Sequence, residues 1–184
     1  RFVGNSVLSI LTKISSGFWR VSDTQTGYVC FSKNSLNSIK LYNIHNTYGW
    51  PNDILIKLNI ARCTIKEVQI KPVYNLGEES KMRIWKIIFP ILWILLKGFF
   101  KRLLLRYFIT DFHPAFLFYL FSFVLFLVDI PFMLSILSKV ISYNKISYAT
   151  LLAFTLLTIS ALQTLFFAMW IDIQENDRYD KTLD

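Results

Sequence analysis

Apolar residues Phe2, Val3, Val7, Leu8, Ile10, Leu11 and Ile14 recur at the helical period, and Ser15-Ser16-Gly17 closes the stripe. The spacing predicts an amphipathic helix at the start of the chain. Tyr28-Val29-Cys30-Phe31 is a short run of strand formers before a Ser32-Lys33-Asn34 break. Asp53-Ile54-Leu55-Ile56-Lys57-Leu58-Asn59 fits a helix opened by Pro51-Asn52. Glu67 to Val73 alternates polar and apolar and predicts a second strand. Residues 1–76 therefore read as part of an α/β domain with too few elements to close a core alone.

From Gly77 to Asp111 the apolar pattern is repeatedly interrupted by cations. Only ten uncharged residues separate Lys86 from Lys97, against the roughly 20 that span a bilayer. Helices lying in the interface suit residues 77–111, with Trp85, Trp93 and Phe99 in lipid and the cations snorkelling. Pro90 and Gly98 are expected to bend or divide them. Residues 112–171 then hold two candidate spans, about 114–138 and 146–171, joined by Lys139–Lys145. The second, 26 uncharged residues long, makes about 39 Å of helix. Asp129 and Pro131 in the first span predict an interfacial break near its outer end, and Gln163 in the second predicts an interhelical hydrogen bond.

Composition sharpens this picture. The 184 residues are 54% hydrophobic and only 17% charged, with a mean hydropathy of +0.43, which argues against an ordinary soluble enzyme. Cys30 and Cys63 alone make no disulfide framework, and with two histidines no zinc site is expected; His45 and His113 read as structural. The net charge of +8 is unevenly placed. Lys81, Arg83, Lys86, Lys97, Lys101, Arg102 and Arg106 abut the apolar half, with no acid from Lys81 to Thr110. Such a cluster marks a cytoplasmic membrane surface rather than a nucleic-acid partner. Seven cations before the first span against two in the connecting loop put both termini, including an acidic tail over 172–184, in the cytoplasm. The opening Arg1-Phe2-Val3-Gly4 carries neither initiator Met nor secretion signal, and the chain is read as the carboxyl-terminal piece of something longer.

Four segments, in order, carry a family resemblance. Ser22-Asp23-Thr24-Gln25-Thr26-Gly27-Tyr28 resembles the S-D-x-Q-x-G-[FY] segment of family 2 glycosyltransferases that load sugars onto polyprenyl phosphates, such as the dolichyl-phosphate mannose and glucose synthases. Tyr48-Gly49-Trp50-Pro51-Asn52-Asp53 is similar to the family's stretch ending in an acid at a helix start. Glu67 to Tyr74 with Gly77-Glu78-Glu79-Ser80-Lys81 resembles the strand and G-x-S-K-type stretch closing the catalytic domain. Asp111-Phe112-His113-Pro114 resembles the junction before the first span.

The resemblance implies the later part of a GT-A fold, an α/β nucleotide-diphospho-sugar domain, and an inverting hexose transfer from a nucleotide-sugar to a polyprenyl phosphate. Since no Asp-x-Asp motif occurs in the chain, the expected Mg or Mn ion would be held upstream, this piece would bind none, and it would be inactive alone. A lipid phosphate is largely dianionic at neutral pH, so the implied chemistry rests on positioning and charge. Asp53 and Asp23 take the catalytic places, with Gln25, Gly27 and Tyr28 in the sugar pocket. Arg1, Asn5, Ser80, Lys81 and Arg83 face the acceptor phosphate. The bilayer is the remaining partner, and a homo-oligomer is compatible with the reading. Val29 stands where relatives commonly carry Arg or Lys, and Tyr74-Asn75 where mannose-synthase-like members carry a base. Without the family, the structural readings come first, Asp53 as a first-turn helix acid and Asp23 as a turn residue; the resemblance reverses that order.

Overall fold

A computed structural model describes residues 2–39, 44–45, 49–68, 84–143 and 145–180. Its regular elements are all helical: α1 (Phe2–Ser16), α2 (Lys33–Ser38), α3 (Trp50–Ile60), α4 (Ile84–Arg102) running into a π-helical stretch (Leu103–Thr110), α5 (Pro114–Ile141) and α6 (Tyr148–Asp180). This corrects the α/β expectation. No strand occurs among the described residues, so no sheet of a GT-A domain is present in them. The reason is pairing: a strand exists only within a ladder. The run Tyr28–Phe31 is irregular, with Tyr28 84% exposed and Val29 47%. Glu67 and Val68 are irregular too, and the rest of the second expected strand lies outside the described residues. The Ser32 break instead caps α2, its hydroxyl accepting from the Ser35 N–H.

The chain divides into two compact units, Arg1–Arg106 with Ile173–Asp184, and Tyr107–Asp172. In the first, α1, α3 and α4 pack together. Ile56 of α3 meets Ile91 and Leu95 of α4, with Leu8 and Leu11 of α1 against them. A second cluster of Ile39, Ile54 and Leu58 is covered by Phe18, Phe31, Trp50 and Ile65. The helix α4 runs unbroken through Pro90 and Gly98, where a division is expected from sequence. Gly98 permits a close approach to α3, since a Cβ there would strike the Ile56 side chain. α1 ends as expected, at Gly17, whose φ of 77° only glycine adopts freely.

The second unit holds two helices long and apolar enough to cross a membrane. Only 11% of each apolar window is buried, unlike the core helix of a soluble domain. α5 buries Ala115, Tyr119, Ser122 and Asp129, and α6 buries Ala161, Thr164, Ala168 and Asp172. These small and polar residues let the helices approach. The Ser122 hydroxyl donates to the Ala161 carbonyl at 2.9 Å. α5 continues through Pro131, so Asp129 is no break. It lies inside the pair, 6% exposed, accepting from the Thr158 hydroxyl at 2.7 Å. α6 likewise continues to Asp180, so the acidic segment 172–184 begins as helix.

Candidate functional site

The loop after α1 carries the first motif, and three anchors shape it. The Glu67 carboxylate accepts from the Ser22 N–H at 2.7 Å, the Ser22 hydroxyl at 2.9 Å and the Asp23 N–H at 3.3 Å. Asp23 Oδ1 accepts from the Gln25 N–H at 2.9 Å, an Asx turn that reverses the chain. Thr24, 1% exposed, turns inward and donates to Ser9 Oγ of α1 at 3.3 Å.

Gln25 then reaches across to α3. Its Nε2 donates to Asn52 Oδ1 at 2.9 Å, and Thr12 Oγ1 of α1 donates to the same oxygen at 3.0 Å. Asn52 is fully buried and immediately precedes Asp53. Two motif segments 27 residues apart are thus joined through one amide. Asp53, in the first turn of α3, uses Oδ2 to accept from the His45 N–H at 2.9 Å and to pair with Lys57 at 2.5 Å. It therefore holds the preceding loop and compensates the helix amino terminus. Asp23 is exposed.

The other expected residues fall less neatly. Tyr28 stands out in solvent, and Gly27 has neither a positive φ nor any atom near the position of a Cβ, so nothing in the turn requires glycine. Arg1, Ser80, Lys81 and Arg83 lie outside the described residues, as does the Asn5 side chain. The described residues supply no group of three or more His, Cys, Asp or Glu that could hold a metal.

Several residues were not legible as part of this framework. Arg102 and Arg106 read from sequence as membrane-surface charge, but they are 0% and 3% exposed. Arg102 donates to the Ser15 and Ile14 carbonyls at 2.9 and 3.0 Å, capping the end of α1. Arg106 donates to the Asn59 carbonyl at 2.8 Å and to its side-chain oxygen, capping the end of α3. Cations suit helix carboxyl ends for this reason. A spacing of four places both on one helix face, which is the signal the sequence held. Lys97 is exposed and lies over the Trp93 ring at 5.1 Å. In the acidic tail, Asn176 Oδ1 accepts from Asn59 Nδ2 at 2.7 Å, and Asp177 pairs with Arg20 at 2.9 Å.

The chain matches no protein-family model, no curated protein and no solved structure.

Proposed function

We propose that the chain belongs to a membrane-anchored inverting glycosyltransferase that moves a hexose from a nucleotide-sugar to a polyprenyl phosphate. The reading rests on one observation, the hydrogen bond from Gln25 to Asn52. Two segments picked out by motif alone meet in space, beside an exposed carboxylate (Asp23) whose Oδ1 accepts from the Gln25 N–H and whose backbone N–H is held by Glu67. A carboxylate placed in this way can bind sugar hydroxyls or stabilise charge that develops at the transferring carbon. The proposal needs no sheet among the described residues.

Two apolar helices support placement in a membrane. Residues flanking the pair on both sides touch each other, Asn59 with Asn176 and Arg20 with Asp177, which supports an even number of crossings. With Arg102 and Arg106 committed to carbonyls, five of the seven flanking cations remain against two in the connecting loop, still favouring cytoplasmic termini.

The test is hexose transfer to polyprenyl phosphate in membranes from cells that express the full-length protein. Asp23→Asn and Asp53→Asn are each expected to lower kcat by about 100- to 1,000-fold, the usual loss for a transition-state contact, at matched expression and thermal stability. Near-normal turnover in both variants refutes the assignment. Absence of transfer by the wild type favours the second reading, a non-enzymatic two-helix scaffold or lipid-binding module. Asp53 already supports that alternative, because its carboxylate is engaged by Lys57 and His45.

A further inference from the structure

Gln163 sits in the middle of α6 on the face opposite Ala161 and Ala168, the residues buried against α5. Its side chain is exposed, and its amide finds no hydrogen-bond partner among the described residues. The interhelical bond expected for it within the chain is not made. Within the pair, Ser122 bonds a carbonyl, Asp129 Oδ2 accepts from Thr158 and Thr164 bonds the Ser160 carbonyl, while Tyr119 Oη and Asp129 Oδ1 are buried between the helices without a hydrogen bond. Gln163 differs in facing outward. An amide facing hydrocarbon loses the hydrogen bonds that water would give it.

The surroundings form a seam. Leu152, Leu156, Ile159, Phe166 and Trp170 are 56–63% exposed, and with Gln163 they follow steps of four, three, four, three and four residues. That is the spacing by which two helices interlock with a small crossing angle. A shallow, open groove of about 470 Å³ runs along residues 159–170 and includes Gln163 in its lining.

We propose that this face of α6 is a dimer interface with a second copy of the same chain, centred on Gln163. A copy inserted in the same orientation and related by a twofold axis along the membrane normal brings its own Gln163 to the same depth. The amide carries both donor and acceptor, so two such groups make reciprocal bonds, as a self-complementary contact requires. Lipid tails cannot do this. An unrelated partner would need a matching polar group at one particular depth, which an identical chain brings automatically. The polar pair also fixes register within an otherwise apolar seam. The interface does not depend on the glycosyltransferase reading.

The experiment measures association of the full chain in liposomes by single-molecule photobleaching across a dilution series in lipid. The wild type is expected to pass from dimer to monomer on dilution. Gln163→Leu should shift the midpoint about tenfold toward the monomer, as for loss of one to two interhelical hydrogen bonds, and Gln163→Asn should recover part of it. In a Cys30→Ser, Cys63→Ser background, Ile159→Cys and Phe166→Cys should cross-link between copies, and Leu127→Cys on α5 should not. A monomer at every dilution overturns the proposal. So does a Gln163→Leu variant that associates as well as wild type, or cross-linking as strong from Leu127→Cys as from the α6 positions.

Discussion

At Asn52 a single side-chain oxygen receives Thr12 from one helix and Gln25 from a loop. Removing that oxygen takes away the Gln25 bond between the two segments and leaves Thr12 with only the Leu8 carbonyl, at 2.8 Å. It also opens a cavity at a fully buried position. Asn52→Ala is expected to destabilise the protein by about 2 kcal/mol, read as a lower denaturant midpoint in detergent followed by tryptophan fluorescence. Gly27→Ala is the contrasting case. With open space at the Cβ and no positive φ, it should leave stability within about 0.5 kcal/mol of wild type in the same assay. The motif spelling thus located a real junction but misjudged its parts. Asn52, inside the quoted motif, acts as the hinge between segments, whereas Gly27 meets no steric demand. Spelling marks which stretch matters; burial and partners, which arise only on folding, decide which atom.

Among the elements, the first helix and the third were readable because their apolar spacing and their Gly17 and Pro51 punctuation agree with the packing they enter. The strands were not, because strand formation depends on a neighbour that no local pattern contains. The continuity of α4 and α5 through proline was hidden as well, since one missing backbone bond does not oblige a long helix to end. Charge was the least legible property. Arg102 and the adjacent Lys101 look alike in sequence, yet one is buried under α1 and the other exposed. Arg102→Met should cost about 3 kcal/mol, because the last carbonyls of α1 lose a charged donor, while Lys101→Met should be nearly neutral. Both are measured by denaturant unfolding, and equal effects would show that the caps contribute nothing.

For the whole molecule, the proposed topology makes one sharp forecast. With both termini cytoplasmic, Ser142→Cys in the Cys30→Ser, Cys63→Ser background should react with an impermeant maleimide from outside intact cells. Labelling only after permeabilisation reverses the orientation or removes the crossings. The two long apolar helices were legible from apolar run length, a part of the sequence that needs no tertiary partner to be interpreted. The destination of α6 was not, because its final turns look like an ordinary solvated tail. Those turns carry Asn176 and Asp177, which bond to Asn59 and Arg20. Synthesis runs from the amino end, so the unit built on α1, α3 and α4 stays incomplete until residues 173–180 have been made and two apolar helices have been inserted. Its maturation is therefore timed by the ribosome and the insertion machinery. A protease-protection experiment on stalled nascent chains should find the amino-terminal unit sensitive until residues 173–180 have cleared the exit tunnel, and resistant soon afterwards.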